Sequence, residues 1–549
     1  MSSKNQILKI HQQDNIIVAL EDMSMGSEID VDGERVVIKE FIQIKHKFSQ
    51  HDLNVNDTII QYGIPVGLAT TFIPKGCAIT TSNVRHISQD YSTPQSDYHW
   101  DMPDVSKWQE STFNGVKRDD GQVGTANYWI VLPLVFCQNR NVETLRHALQ
   151  DSLGYGLEQN YVDIAQTAIK AASRGETLEE YYSAPASRDF PDKPLFENVD
   201  GVKFITHSSG CGGTREDAQS LCKLLAGYIN HPNVAGATVL SLGCQNAQID
   251  LLKSELEKLN AIETKSILWF EQQDYGLEAD MLKDAITKTV SGIAQANKVQ
   301  REPLPLSYLK IGVECGGSDG FSGITANPLI GQVVDQLIAL NGTAVLAEFP
   351  ELCGVEQNII NRCITDDSSN KFIALMRAYE QHANAVGARF DMNPSPGNIK
   401  DGLITDAMKS AGAALKGGSS PITDVLDYTQ MITKNGLNLL CTPGNDVEST
   451  TALVSSGVNL VLFSTGLGTP TGNPIVPVLK ISSNSLISQK MSDIIDFDAG
   501  SLINKDINMK DLADELFELC IETASGDYKT KAMRLLQDDF IPWKRDVSL

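Results

Sequence analysis

The sequence has no long hydrophobic segment and no excess of basic residues. Met1–Gln13 is polar, and no apolar run approaches the roughly 20 residues that a membrane-spanning helix needs. The formal net charge is -24, which disfavours binding to nucleic acid and to anionic membranes. We therefore expect a cytoplasmic protein whose partners include neither nucleic acid nor a membrane.

Local signatures of disulfide frameworks, zinc sites and nucleotide sites are also missing. The ten cysteines are scattered over 549 residues, and none forms a Cys-x-x-Cys pair. There is no His-Glu-x-x-His motif, no P-loop lysine after Gly210–Gly213 and no Gly-x-Gly-x-x-Gly fingerprint. Hydrophobic residues make up 42% of the chain, enough for a large core without disulfides. An NAD-dependent dehydrogenase therefore has little support.

The chain divides into three parts by its local patterns. Residues 1–91 contain short apolar runs separated by turns, which predicts a small β domain. Residues 92–122 are rich in Pro, Gly, Asp and Ser, which predicts a mostly extended linker. Residues 123–549 alternate buried-strand runs with helical stretches, which predicts an α/β region with a mainly parallel sheet.

The predicted strands of the α/β region are apolar runs of similar length. They are Tyr128–Phe136, Val202–Thr206, Thr238–Leu242, Ser266–Phe270, Lys310–Val313, Thr343–Ala347, Leu437–Leu440 and Asn459–Phe463. The clearest helical patterns are Ala279–Ala296 and Asp511–Ser525. Ligands of open α/β sheets bind beyond the carboxyl ends of the strands, so the segments that follow these runs are where an active site is expected.

Polar and thiol side chains follow these strands in Gly-rich loops. Plausible metal ligands there include His207, Cys211, Cys244, Cys315 and Glu348. Imidazole and thiolate with carboxylate suit iron or zinc, whereas oxygen-rich ligands suit magnesium, manganese or calcium. The alternative is that the Gly-flanked cysteines only fill tight turns. The sequence therefore predicts a metal-assisted active-site rim without fixing the ligand set.

Two further motifs allow both a structural and a functional interpretation. Asn393 and Asn398 flank a proline-rich loop, which indicates either turn chemistry or recognition of substrate hydroxyls. His46 and Lys47 are adjacent in the small β domain. Adjacent residues of a strand point to opposite faces, so spacing alone favours a solvated pair.

Several of these segments together resemble the altronate dehydratase/galactarate dehydratase family, over nearly the whole chain from about Leu8. The resemblance depends on the following segments: residues 11–15, His46-Lys47-Phe48, the long run 314–328, residues 393–398, Pro443–Asp446, residues 463–466 and residues 495–500. The run 314–328 is highly specific, and the segments 443–446 and 495–500 look more like the altronate branch.

The resemblance implies an amino-terminal β-clip domain of the SAF type, followed by a Rossmann-like region, with residues 123–200 as a part for dimerisation and 201–549 as the core. It implies dehydration of a sugar acid to a 2-keto-3-deoxy acid, a divalent metal such as Fe²⁺ (with Mn²⁺, Mg²⁺ or Ca²⁺ as alternatives), and a homodimer. His46 and Lys47 are then expected to supply the base or the acid. The expected substrate contacts are Arg85, Asn127, Ser318, Asp319, Asn393, Asn398, Thr465 and Gly466.

Three positions depart from the family pattern. Leu467 and Ala126 stand where the family usually has arginine, and Gln245 stands where it usually has glutamate. Arginine often recognises a carboxylate with two parallel hydrogen bonds, which leucine cannot do. A lyase for another 2-hydroxy acid (galactarate-like or sulfolactate-like) and a non-catalytic sugar-acid-binding relative are therefore the alternatives.

Overall fold

The computed structural model describes residues 6–87, 90–96, 98–157, 161–175, 194–504 and 507–545. Part of the expected dimerisation segment, 123–200, therefore lies outside the described residues. Within the described residues, none of the helices combines the length and the hydrophobicity that crossing a membrane requires.

The amino-terminal domain consists of three small antiparallel sheets with the orders β1-β2-β5, β3-β4 and β6-β7-β8. Its strands are β1 (Ile7–Leu8), β2 (Ile16–Ala19), β3 (Glu28–Val31), β4 (Glu34–Val37), β5 (Lys47–Ser49), β6 (Thr58–Gln61), β7 (Ile64–Ala69) and β8 (Val84–Arg85). Short strands joined by tight turns match the β domain predicted from the sequence.

The rest of the chain alternates strands and helices. The strands are β9 (Thr112–Lys117), β10 (Val123–Gly124), β11 (Tyr128–Pro133), β12 (Gly201–Phe204), β13 (Val234–Ser241), β14 (Ser266–Glu271), β15 (Glu302–Pro305), β16 (Lys310–Cys315), β17 (Thr343–Leu346), β18 (Ile422–Leu426), β19 (Gly436–Leu440), β20 (Leu460–Thr465), β21 (Val478–Ser482) and β22 (Phe497–Asp498). The helices are α1 (Asn139–Leu149), α2 (Tyr161–Ser173), α3 (Arg215–Asn230), α4 (Ile249–Lys258), α5 (Ala261–Thr264), α6 (Gln272–Tyr275), α7 (Glu278–Ala296), α8 (Ala326–Ala339), α9 (Glu356–Asn361), α10 (Asp366–Ala385), α11 (Pro396–Lys400), α12 (Asp406–Ala414), α13 (Asp446–Ser455), α14 (Ser485–Lys490), α15 (Ser501–Asn504), α16 (Met509–Ser525) and α17 (Lys531–Arg534).

Two parallel sheets organise this region, which confirms the predicted α/β class. The larger has seven strands in the order β18-β19-β17-β16-β20-β21-β22, and the smaller has the order β12-β11-β13-β14. The central strands are buried on both faces, which is why they are continuous apolar runs in the sequence. Helices α3 and α13 pack between the sheets and join them through one hydrophobic core.

The structure changes two of the predicted boundaries. Strand β11 pairs with β12 across residue 200, so a boundary at that residue divides the smaller sheet. The stretch 92–122 contains β9, which pairs with β10 and β15. Within the same stretch Trp108 is buried, with its ring centroid 5.1 Å from that of Phe517. This part of the expected linker therefore belongs to the folded body, because its apolar side chains have a core to pack against.

Helix α12 connects the amino-terminal domain to the large region. Ala407 and Met408 at its start join the hydrophobic core of the small domain, beside Val66 and Val84. The Thr405 hydroxyl caps the helix and donates to the carbonyl oxygen of Val66 at 2.6 Å. The small domain is thereby held against the start of α12 in the large region.

Candidate active site

The carboxyl ends of three neighbouring strands of the larger sheet, β19, β17 and β16, meet at one place. Strand β16 ends in Glu314 and Cys315, and Glu348 lies two residues beyond the end of β17. A short 3-10 turn after Glu348 carries Glu351, and α13 begins at Asp446 after β19. We call these residues the acidic centre: Glu314, Cys315, Glu348, Glu351 and Asp446.

Two buried lysines neutralise part of the acidic centre. Lys416 Nζ lies 2.7 Å from Glu348 Oε2, and both side chains are 1% exposed. Lys409 Nζ lies 2.6 Å from Glu351 Oε1. The Cys315 Sγ atom lies 3.2 Å from Glu351 Oε2 and 3.8 Å from Glu348 Oε2. The thiol is therefore enclosed by the two carboxylates.

The acidic centre contains more acidic groups than these lysines balance. Burial raises the pKa of Glu314 well above its usual value, and the charge of Glu348 adds to the effect. Burial likewise raises the pKa of Glu348. Burial opposes ionisation of Glu351, but the charges of Lys409 and Lys416 lower its pKa overall. Buried carboxylates in excess of buried ammonium groups favour a bound cation.

The donor atoms of the acidic centre fit a divalent cation. The ligand atoms of Cys315, Glu348 and Glu351 lie within 4.8 Å of one another, as do those of Glu314, Glu348 and Asp446. Glu314 Oε1 and Glu348 Oε1 are buried without a hydrogen-bond partner among the described residues. A cation at this position would satisfy both oxygens.

Glu348 has strained backbone geometry. Its φ of 63° places a non-glycine residue in the left-handed region, and its N–H donates to Thr442 Oγ1 at 2.8 Å. Such strain persists only where the surrounding structure imposes it, and it is concentrated at functional sites. The turn directs Glu348 towards Cys315 rather than along the strand.

A second group of polar residues lies where the amino-terminal domain meets the large region. The Lys47 ammonium donates to the Gly402 carbonyl at 2.5 Å, and His46 Nε2 lies 3.0 Å from the Lys400 carbonyl. Lys45 Nζ lies 2.8 Å from Asp319 Oδ2. We call Lys45, His46 and Lys47 the basic loop.

His46 and Lys47 both contact the segment 400–402, although adjacent strand residues were expected to point apart. The reason is that β5 begins only at Lys47, and Lys45, with a φ of 74°, turns the chain just before it. A Cβ atom at Gly402 would collide with the Lys45 carbonyl, so the close contact requires glycine there. Both residues of the pair therefore reach the same interface.

The environment of Lys47 favours the neutral form of its amine. It is 1% exposed, and burial lowers its pKa to about 7, although the charge of Asp319 opposes this. Burial also lowers the pKa of His46. A lysine whose pKa lies near neutrality can act as a general base.

Asp319 connects the basic loop to the Gly-rich loops of the sheet. Its Oδ1 accepts from Ser322 Oγ and from Ser483 Oγ at 2.7 Å, and its Oδ2 accepts from Asn484 Nδ2 at 3.1 Å. Ser318 offers its carbonyl to Asn398 Nδ2 at 2.7 Å. Only residues 316–318 separate Cys315 from Asp319, a span of at most about 14 Å. One short loop thus joins the acidic centre to Asp319, the carboxylate that pairs with Lys45 of the basic loop.

The remaining predicted substrate contacts near this site already have protein partners. Thr465 Oγ1 accepts from the N–H groups of Gly468 and Thr469, and the Gly466 carbonyl accepts from Asn484 Nδ2. Asn393 Oδ1 accepts from Lys409 Nζ at 3.0 Å. These residues shape the site and position its charged groups.

The structure separates the predicted metal ligands into two sets. Cys315 and Glu348 belong to the acidic centre, whereas His207, Cys211 and Cys244 follow strands of the smaller sheet. Within the described residues, no cluster of three ligand atoms includes any of these last three. The structure thus places these three residues after strands of a different sheet from Cys315 and Glu348, which the sequence does not show, and their part in metal binding stays a prediction.

His207 is, moreover, fully engaged by the protein. Its Nε2 donates to the Pro133 carbonyl at 2.8 Å, and its Nδ1 accepts from the Ser209 N–H at 3.1 Å. Burial lowers its pKa to about 4. Its side chain therefore fixes the Gly-rich loop after β12.

Two expected substrate contacts lie elsewhere. Asn127 precedes β11, at the amino end of the smaller sheet, where its side chain donates to the carbonyls of Asn198 and Ala296. Arg85 ends β8 with an exposed side chain. Neither takes part in the contacts described above for the acidic centre or the basic loop. Asn127 therefore lies at the strand end opposite to the one at which ligands of parallel sheets usually bind, and its role in substrate binding stays a prediction.

Sequence reasoning missed Glu351, Lys409 and Lys416. A signal for them exists in the spacing. Glu351 follows Glu348 by three residues, with Glu348 just before the 3-10 turn and Glu351 within it. Lys416 follows Lys409 by seven residues, two helical turns. Neither spacing shows that these residues are buried, so the pairing of Lys409 with Glu351 and of Lys416 with Glu348 appears only in the structure.

Comparison with known proteins assigns the chain to a family. Three family models match: the altronate/galactarate dehydratase SAF domain over residues 5–87, the D-galactarate dehydratase/altronate hydrolase second domain over 115–297, and the D-galactarate/altronate dehydratase C-terminal domain over 306–548. The altronate dehydratase of Bacillus subtilis (strain 168) is 34% identical over 94% of this chain and 95% of its own length.

The chain belongs to the altronate/galactarate dehydratase family. The altronate dehydratase of Escherichia coli (strain K12) is also 34% identical, over 95% of both chains. The galactarate dehydratase (L-threo-forming) of the same organism is 28% identical, over 95% of this chain and 93% of its own length. These matches identify a hydro-lyase, a class of carbon–oxygen lyase, and confirm the SAF-type amino-terminal domain.

Proposed function

We propose that this family member dehydrates a sugar acid of the altronate type to a 2-keto-3-deoxy acid, with a divalent cation held at the acidic centre. The observation that carries the proposal is the buried, thiol-containing cluster of carboxylates at the strand ends, whose following loop pairs through Asp319 with the basic loop that carries Lys47. The family relatives support the reaction class.

The cation would be held by Cys315, Glu348 and Glu351, with Glu314 and Asp446 beside them. Thiolate with carboxylates is a donor set that suits iron, the metal we favour over manganese, magnesium and calcium. When bound, a divalent cation supplies electrostatic stabilisation of negative charge that develops on the substrate carboxylate.

Lys47 is the proposed base. Its neutral amine removes the proton from the carbon beside the carboxylate, and the hydroxyl on the next carbon then leaves as water after protonation. The resulting enol tautomerises to the 2-keto-3-deoxy acid. His46 is the proposed second proton-transfer group: its Nε2 donates to the Lys400 carbonyl, which leaves Nδ1 as the acceptor.

One residue favours an alternative substrate. Leu467 stands where the family usually has arginine, and its side chain is 40% exposed. It lies close to the Gly-rich loop after β16, because a Cβ atom added at Gly317 would come within 3.2 Å of the Leu467 Cβ atom. An acid that does not require a guanidinium at this position, such as another 2-hydroxy acid, is the second candidate.

The test is a substrate and metal screen under reducing conditions. Purified protein is incubated with Fe²⁺, Mn²⁺, Mg²⁺ or Ca²⁺ and with a panel of aldonic, aldaric and other 2-hydroxy acids, and 2-keto acid formation is followed. Turnover of altronate with Fe²⁺ supports the proposal. Turnover of a non-sugar 2-hydroxy acid alone supports the alternative, and binding of sugar acids without any turnover contradicts both.

The homodimer and the cytoplasmic location stay predictions.

A further inference from the structure

A second cluster of metal-ligating side chains lies at the junction of the two parts of the molecule. His86 follows the last strand of the amino-terminal domain, Cys353 follows the 3-10 turn after β17, and Asp406 is the first residue of α12. One nitrogen of His86, the Cys353 thiol and one Asp406 oxygen lie within 4.8 Å of one another. None of them belongs to the acidic centre or the basic loop.

Asp406 provides an independent indication of a missing ligand. The residue is 1% exposed, and its Oδ2 atom has no hydrogen-bond partner among the described residues. Its carboxylate also interacts with the Cys353 thiol, and its Oδ1 lies 3.5 Å from the Ser410 hydroxyl. A buried carboxylate oxygen without a partner is costly unless something binds it.

A fourth potential ligand lies next to the thiol. Glu356 is 4% exposed, and its carboxylate interacts with Cys353, as does that of Asp406. In the described part of the chain no lysine or arginine forms a salt bridge with either carboxylate, and nearby Lys409 is paired with Glu351. In this respect the cluster differs from the acidic centre, where lysines supply much of the balancing charge.

A cavity borders Glu356, the residue beside the cluster. A cavity of about 330 Å³ is lined by Gly354 and Glu356 on one side and by Ile64 and Pro65 of the amino-terminal domain on the other. The cavity therefore reaches the fourth potential ligand, whereas His86, Cys353 and Asp406 do not line it.

We propose that His86, Cys353 and Asp406, with Glu356 as the fourth donor, form a second metal site, suited to Zn²⁺ or a similar transition ion. Imidazole, thiolate and carboxylate are the ligands that Zn²⁺ takes in tetrahedral sites. Ligand atoms of such a site are about 3.3–3.8 Å apart, so shifts of roughly 1 Å close the cluster. Because His86 belongs to the amino-terminal domain and the other ligands to the large region, the ion fastens the two together.

The experiment uses the full-length protein and cobalt as a spectroscopic probe. The Cys315→Ser variant is stripped with a chelator and titrated with Co²⁺, so that thiolate-to-cobalt charge-transfer absorption cannot come from the acidic centre. We expect one equivalent of Co²⁺ with this absorption, and its loss in the Cys315→Ser/Cys353→Ser double variant. Absence of the absorption in the single variant, or its persistence in the double variant, overturns the proposal.

Zinc content gives a second measurement that does not depend on the Cys315 variant. Against the wild type, Cys353→Ser and His86→Gln should each lose one equivalent of Zn²⁺ and the rise in melting temperature that Zn²⁺ produces. Cys363→Ser is the matched control, because Cys363 lies ten residues further along and its thiol only donates to the Ile359 carbonyl. Equal zinc content in the wild type and in these three variants contradicts a second site. If only a further variant, Glu348→Gln, loses zinc, the lost ion belongs to the acidic centre, which likewise contradicts a second site.

Discussion

Replacement of Lys47 by methionine tests the proposed chemistry most directly. Lys47 is buried, and its pKa is lowered from 10.5 to about 7 by burial. At pH 7 about half of the molecules therefore carry a neutral amine, compared with about one in 3,000 for an ordinary lysine. Burial thus increases the reactive form by roughly a thousandfold.

We expect Lys47→Met to lower kcat by about 10²–10⁴-fold, the usual contribution of a positioned general base. Methionine has a similar length and suits a buried position, so the fold should survive, as circular dichroism can verify. Product formation is followed as 2-keto acid at saturating substrate and metal. Lys75→Met is the matched control, since Lys75 pairs with Glu34 on the surface of the same domain, and its activity should equal that of the wild type.

The pH dependence supplies an independent reading. A base must be deprotonated to act, so kcat/KM of the wild type should rise with pH through about 7 and then level off. Lys47→Arg should be as inactive as Lys47→Met, because a guanidinium stays protonated throughout this range. If Lys47→Met keeps more than about a tenth of the wild-type kcat and the same pH limb, Lys47 is not the base.

Three further predictions concern the acidic centre and the loop after β12. Glu348→Gln should weaken metal binding by at least about 100-fold, since even a change to a group that only supports a ligand lowers metal affinity by about 10–100-fold. Calorimetric titration with Mn²⁺ measures this affinity, and an unchanged value would remove Glu348 from the ligand set. Lys416→Met should lower the free energy of unfolding by about 3–5 kcal/mol, because Glu348 is left buried without its partner. Lys434→Met, which breaks an exposed pair with Asp424, should cost no more than about 1 kcal/mol; equal urea midpoints for the two variants would contradict the argument. His207→Ala should leave bound metal unchanged but cost about 1–3 kcal/mol of stability through lost buried hydrogen bonds. The folded-state pKa of His207 is lowered from 6.5 to about 4, so the unfolded chain binds more protons below pH 6.5. The wild type should therefore lose stability as pH falls from 6.5 towards 4, and the His207→Ala variant should lose less over the same range.

The local patterns of the sequence were sufficient for the elements and for the fold class. Apolar runs such as those of β16 and β20 are buried on both faces, and this condition leaves a direct trace in composition. The position of Cys315 and Glu348 at strand ends was also predictable, because parallel strands place their carboxyl ends at one edge of a sheet.

Which strand ends belong together was decided only by the tertiary structure. His207 and Cys315 both follow apolar strands, yet they lie on different sheets, and strand pairing over hundreds of residues has no local signature. The same is true of Lys409 and Lys416, whose charges appear ordinary in the sequence and become decisive only when burial removes water from around them. The sequence by itself determined the elements, the family resemblance and the kind of chemistry. The packing of two sheets and a docked β domain determined which side chains share a low-dielectric site, because burial and pairing are properties of the folded chain as a whole.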